Sequence, residues 1–327
     1  MARPYERGLA EVADGVFAYL QPDGGWGWSN AGLVSDGEAT LLIDTLFDLQ
    51  LTEAMLAEMR RAVPAAEQIE TLVNTHANGD HCYGNQLLGG ARMIASERTA
   101  AEMDELPPAA MAALVEQAPQ MGTLGEFFLR CFGPFEFRGI EPAPPGETFS
   151  GELAVRVGDR EVHLLEVGPA HTQGDTMAWL ASERVLFTGD ILFNGSHPIA
   201  WAGPVSNWIA ACDRIEALAP ERIVPGHGPL AALADVRELR AYFEYLYEQT
   251  LAAHGEGLSA MQAARRMSLD RWADWGEGER LVVNIANIYG ELSGEGPPNP
   301  LEAFQQMAEL ALGEDGEAPG TQAPAGQ

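Results

Sequence analysis

The chain contains no lysine. All 19 of its basic residues are arginine, set against 48 acidic residues, for a formal net charge of −29 in 327 residues. The missing lysine excludes Schiff-base and other lysine-dependent mechanisms. The shortage of positive charge excludes partners that are held through phosphate, because so acidic a surface repels nucleic-acid backbones and anionic lipid headgroups. Cysteine is scarce as well: Cys82, Cys131 and Cys212 are too few and too scattered for a disulfide framework. No run approaches the roughly 18 apolar residues of a membrane span, and "MARPYERGLAEVADG" has no apolar leader. The expectation is a cytoplasmic protein with neither nucleic-acid nor membrane partners.

Hydrophobic residues make up 46% of the chain and charged residues 20%, the balance of a soluble globular protein large enough to bury a real core. No internal repeat is visible. "GVFAYL", "AGLVS" and "ATLLIDT" (Ala39–Thr45) read as strands around a Gly/Trp loop, "PDGGWGWSN". Leu49 to Val63 has helical spacing and is stopped by Pro64. "IETLVNTH" and "GARMIAS" read as further strands, and strands resume at "EVHLLEVG", "TMAWLA" and "RVLFTGD". A helix over Val205 to Leu218 and the segment "RIVPGHG" follow. Strand, helix, strand of this kind implies an α/β fold with its ligands at strand ends. The expected organisation is a domain over 1–233 with a partly helical, Met- and Phe-rich insertion near 98–140, then a helical C-terminal unit over 234–312. The Gly/Ala/Pro-rich tail 313–327 reads as disordered. The insertion is either a lid over an apolar substrate or an ordinary packed segment.

Seven histidines stand in telling places. His76, Asp80 and His81 lie in "THANGDH" after one strand, and His171 lies in "VGPAHTQGD" after another. Asp190 ends "VLFTGD" and His227 ends "IVPGHG". A lone loop histidine is usually a satisfied polar group, and an aspartate after a strand is usually a cap. Together, several strand ends each present a metal-binding side chain beside a glycine. Imidazole and carboxylate suit zinc, iron or manganese, and a shared carboxylate can bridge two ions.

"THANGDH", "GPAHTQGD", "LFTGD" and "VPGHG", in this order, resemble the metallo-β-lactamase fold superfamily over about residues 8 to 230. The resemblance implies a four-layer αβ/βα sandwich with a metal site at one edge of two sheets. It places His76 and His171 on a first metal and Asp80, His81 and His227 on a second, with Asp190 bridging. An aspartate at the bridge resembles the glyoxalase, lactonase and thioesterase branches, whereas the antibiotic-hydrolysing enzymes usually carry cysteine there. "GGWGWSNAGLV", "GNQLLGGARMIASERTAAEM" and "LSAMQAARRMSL" look like the actinorhodin-type cyclase/thioesterases of aromatic polyketide pathways. That closer likeness implies hydrolytic release of an apolar, aromatic acyl chain, free or carrier-protein-bound. Trp26, Trp28 and Trp201 would then stack on a flat substrate, or else serve as ordinary core and hairpin tryptophans.

Asn78 departs from the pattern, standing where the superfamily motif has its middle histidine. Asn78-Gly79 can shape a turn or cap a helix. Alternatively the Asn78 amide oxygen is a weak, hard ligand, leaving one tight zinc site and a second that is weak, absent, or taken by iron or manganese. In the expected mechanism a water activated by the metal attacks a thioester or ester carbonyl, Asp80 orients that water and takes its proton, and His197 acts as acid or hydrogen-bond donor. His163 and His254 read as structural, and Cys82 as packing. An iron-dependent oxidative enzyme or lyase, a lactonase-type hydrolase and a non-catalytic binding protein are the rival readings. The C-terminal helices either cover the site or pair two chains as a homodimer.

Overall fold

The computed structural model describes residues 5–313. A seven-stranded sheet runs in chain order through β1 (Gly8–Ala13), β2 (Val16–Leu20), β3 (Ala31–Asp36), β4 (Ala39–Ile43), β5 (Thr71–Val73), β6 (Arg92–Ser96) and β7 (Glu147–Phe149). A five-stranded sheet takes the order β12 (Arg222–Val224), β11 (Val185–Phe187), β10 (Thr176–Leu180), β9 (Arg160–Glu166), β8 (Glu152–Val157).

The period-2 alternation of the strands builds the layers. Val16, Ala18, Leu41, Ile43 and Val73 point inward to meet Val162, Leu164, Ala178, Val185 and Phe187 of the other sheet. Their neighbours Tyr19, Leu33, Leu42 and Leu72 face the opposite way, onto Met55, Leu56 and Met59 of α1 (Leu49–Ala62). Asp48 caps α1, its Oδ1 accepting from Leu51 N. The helix stops where Pro64 forces Val63 into extended backbone. On the far side, Met177 and Leu186 of the second sheet lie in one apolar cluster with Trp208, Cys212 and Ile215 of α6 (Val205–Leu218). The result is the expected four-layer αβ/βα sandwich.

Between β5 and β8 come a single helical turn, α2 (Gly79–Cys82), then α3 (Glu97–Glu102), α4 (Pro108–Gln117) and α5 (Gly122–Phe132). Cys82 is the last residue of α2 and is buried. The C-terminal unit is α7 (Leu233–Gly255), α8 (Ala260–Arg266), α9 (Leu281–Ser293) and α10 (Pro300–Leu312), with two short 3-10 turns, Asp270–Trp272 and Gly278–Arg280, between α8 and α9. Its helices share one continuous apolar core with α5 and α6, and Phe304 of α10 packs on Phe127, Phe128 and Phe132 of α5. Strands β1, β7 and β8 were not expected from the sequence. β1 and β8 are edge strands with largely unburied residues, so their apolar signal is weak. Of the tail 313–327, all but Gly313 lies outside the described residues. No helix among the described residues is long and apolar enough to cross a membrane.

At Gly32 the sheets pack so closely that a side chain would run into the Phe187 ring. Gly32→Ala should cost about 1–3 kcal/mol in urea unfolding. The same change in a Phe187→Leu background should cost less, since the opposing ring is gone; equal costs in both backgrounds would refute the contact.

Candidate metal centre

Four loop segments bring six donors together at one edge of the sandwich. His76 follows β5, Asp80 and His81 lie on α2, His171 sits between β9 and β10, Asp190 follows β11, and His227 follows β12. They form two groups, His76 with His171 and Asp190, and Asp80 with His81 and His227, with the donor atoms of each group within 4.8 Å of one another. Asp190 is the hub. Nε2 of His76, His81, His171 and His227 lies 3.7, 3.1, 3.3 and 3.4 Å from its carboxylate oxygens. Asp80 Oδ2 lies 3.2 Å from His227 Nε2, and all six residues are buried.

Each imidazole turns Nε2 inward because its Nδ1 is held from outside. The partners are Thr75 Oγ1 for His76 (3.0 Å), Asp44 Oδ2 for His81 (2.9 Å), Ile199 O for His171 (2.7 Å) and Gly24 O for His227 (3.2 Å). Such outer bonds fix ring orientation and raise ligand basicity. At the centre, His76 Nε2, His81 Nε2 and Asp190 Oδ1 are buried without any hydrogen-bond partner. Orphaned inward donors of mixed nitrogen and oxygen type are what a divalent cation of the zinc, iron or manganese kind would satisfy. The residues fit such an ion.

The electrostatics are those of a compensated buried cluster. Burial pushes the Asp190 carboxyl up, but the imidazoles of His227, His81 and His76 outweigh it and hold the group well below the usual carboxylate range. Asp80 is likewise lowered, the pull of His81 and His227 exceeding the opposing burial. Burial lowers His81 and His227, yet the facing carboxylates reverse this, raising His81 well above its ordinary value and His227 to about 9. His76 and His171 are lowered, chiefly by burial.

Several supporting residues were not singled out from the sequence. Asp44, at the end of β4, accepts from Thr75 N, Thr75 Oγ1 and His81 Nδ1, in left-handed backbone with φ 62°. Asn74 Nδ2 donates to His81 O and pairs reciprocally with Asn85. Asp175 gathers Ala170 N, Thr172 N and Thr172 Oγ1, shaping the turn that carries His171. Asn30 Nδ2 donates to Pro225 O and Gly228 O on either side of His227. Gly226 is obligatory, since any side chain there would collide with Asp190 Oδ1. Asp44 had the one sequence signal available, a carboxylate ending an apolar strand.

Asn78 occupies the N-cap position of α2, but its side chain makes no capping bond. It reaches into the cluster instead, Nδ2 lying 2.9 Å from His171 Nε2. A half-turn about χ2 would present the amide oxygen to the same centre.

The tryptophans lie in an aromatic wall beside the centre. Trp201 stacks on Phe304 (5.7 Å, 22°), and its backbone N–H donates to His171 O. Trp26 contacts Phe127, Phe132 and Phe304, and Trp28 lies farther along the wall against Phe135. All three are half-buried. His197 is not among the groups that converge on Asp190. Its ring lies against Tyr242 and Trp275, and burial first, then Arg280, lowers it to about 4. His163 lies on β9 beside Glu161, and His254 lies near the end of α7 against Tyr289.

The chain belongs to the metallo-beta-lactamase superfamily, whose profile matches residues 24–227. The linear primary-alkylsulfatase of Pseudomonas sp. (strain ATCC 19151) is 21% identical over 72% of this chain and 49% of its own length. The acyl-coenzyme A thioesterase MBLAC2 of Gallus gallus is 27% identical over 27% of this chain and 33% of its own. The solved structure of the sec-alkylsulfatase Pisa1 from Pseudomonas sp. matches 95% of this chain and 55% of its own, with a TM-score of 0.62 and 17% identity, a likeness of fold. The chain spans about half the length of these alkylsulfatases.

Asp44→Asn keeps a residue type that tolerates left-handed backbone but removes the charge behind His81. It should weaken divalent-metal affinity about 10–100-fold in a competition titration against a chromophoric chelator. Unchanged affinity would show that Asp44 does not support the ligand.

Proposed function

We propose that the chain is a metal-dependent hydrolase of ester or thioester bonds in an apolar, ring-bearing acyl substrate, free or carrier-protein-bound. The finer reading is a thioesterase/cyclase of aromatic polyketide assembly, working in the cytoplasm. The observation that carries the hydrolase is the convergence of four Nε2 atoms and Asp80 around the Asp190 carboxylate. The thioesterase and alkylsulfatases among its relatives support ester-type hydrolysis. The aromatic wall of Trp26, Trp201 and Phe304 supports a flat apolar substrate. Three free, buried cysteines support a reducing compartment.

His76, His171 and Asp190 would hold one cation, and Asp80, His81, His227 and Asp190 the other. A bound divalent cation supplies Lewis acidity toward a carbonyl oxygen and lowers the pKa of a water. The protein's own groups do the rest. Asp80 is the most exposed of the six donors, at 8%, and so is placed to orient the attacking water and accept its proton. Outer bonds to Asp44, Thr75, Ile199 and Gly24 keep the rings from turning during the reaction. Burial excludes bulk water, which strengthens every charge interaction at the centre. Asn78 leaves the first group one imidazole short, so the second group is the tight site, with zinc as its expected ion and iron or manganese as substitutes.

The test uses untagged protein that has never met a chelator. Elemental analysis should find one tightly held ion per chain, and Asn78→His should raise this to two. Metal-loaded protein should hydrolyse 4-nitrophenyl butyrate and an aromatic acyl thioester, losing activity on chelation and regaining it with zinc. Asp80→Ala, assayed at a zinc concentration that keeps the site filled, should lower the rate about 10²–10⁴-fold. An inactive metal-loaded protein would overturn the hydrolase reading. A fully active Asp80→Ala protein would overturn the role of Asp80.

A further inference from the structure

We propose that Arg280 is the receptor for an anionic group, a sulfonate-, sulfate- or carboxylate-type oxyanion, on the substrate of the metal centre. This rests on the reading of that centre as an active site and adds a charge requirement to it.

Arg280 is 1% exposed, at the N-terminal end of α9. Arginine is almost never so deeply buried without a carboxylate, because removing its charge from water is costly. Yet among the described residues Arg280 forms no ion pair. Nη1 donates to His197 O at 2.9 Å, and Nε is buried with no partner at all. Glu279 Oε1 accepts from Trp26 Nε1, and although Arg280 opposes the rise that burial gives the Glu277 carboxyl, the two form no ion pair. Aromatic rings offset part of the cost: the guanidinium carbon lies 4.2 Å from the Trp26 ring and 5.1 Å from the Phe193 ring.

Ring contacts on the faces of a guanidinium leave its edges free to donate. The edge that includes Nε is one that grips an oxyanion in bidentate fashion, and here it has no such partner. The cation is also adjacent to the centre. Phe193 stacks on His227 (5.2 Å, 10°) and lies 5.6 Å from His171, so Arg280 is one ring away from two metal-ligand candidates. Trp26, which the guanidinium covers, is part of the aromatic wall already assigned to the substrate. In a chain of net charge −29, a buried cation at this point turns a generally repulsive field into a local attraction for an anion with an apolar body.

The test is isothermal titration of the zinc-loaded protein with 2-phenylethanesulfonate and with its neutral counterpart, 2-phenylethyl methyl sulfone. Sulfonate is a poor zinc ligand, so the comparison isolates the protein's cation. The wild type should bind the sulfonate at least about ten-fold more tightly. Arg280→Gln should abolish that preference while leaving sulfone affinity unchanged. If Arg280→Gln does not fold, Arg280→Lys, which keeps the charge and loses the fork, should fold and show a reduced preference. A wild type without preference overturns the proposal, as does a preference that survives unchanged in whichever variant folds. Hydrolysis of 4-nitrophenyl butyrate is assayed alongside. A wild type that turns over the ester but shows no preference sinks this proposal alone, and a wild type that shows the preference without turnover sinks the hydrolase reading alone.

Discussion

The structure is organised around the difficulty of keeping one carboxylate, Asp190, almost completely out of water. A bare carboxylate in so dry a place is strongly disfavoured. Here four imidazole nitrogens lie within 3.1–3.7 Å of it. The compensation works only if the rings come from elements that cannot move independently. His76 and His81 follow a strand of the first sheet, while His171, Asp190 and His227 follow strands of the second. The centre therefore sits on the seam of the sandwich, and its geometry depends on the register between the two sheets. Contacts such as Gly32 against Phe187 set that register from within the core.

Close approach and polar satisfaction follow from the same constraint. Gly226 lacks a side chain where Asp190 needs the space, and the backbone of Gly24 supplies the carbonyl that holds His227. Buried Asn30, Asn74 and Asp175 each bind backbone groups of a ligand-bearing loop, and Asn85 holds Asn74 in place. Each would be costly to bury alone; in place, each removes freedom from a segment that would otherwise blur the centre.

The helices outside the sandwich supply what the metal-ligand loops lack, an apolar surround. Phe304 of α10 meets α5 of the insertion and stacks on Trp201, whose backbone bonds to the ligand-bearing His171. Arg280 brings the one deeply buried arginine of the described residues to the same wall, beside Trp26 and Phe193. Charge and ring surface thus reach the centre from segments more than a hundred residues beyond its first ligands.

The six donors and the α/β class were legible in the sequence because each depends on local pattern: apolar strands with period two, and glycine beside His or Asp at strand ends. The edge strands β1 and β8 were not, since strands with little buried surface carry little apolar signal. Asn78 shows where local reading stops. Its dipeptide with Gly79 is equally a turn, a cap or a ligand, and only the fold, by bringing His171 to 2.9 Å from its amide, removes the cap. Likewise nothing around Asn30 or Arg280 in the chain marks them, because each acts on residues brought near from distant sequence. The sequence by itself determined which chemical groups are available and which strand ends carry them. Tertiary structure alone decided which imidazole nitrogen faces inward and which buried charge lacks an ion-pair partner, because those depend on contacts between segments whose separation along the chain encodes no distance in space.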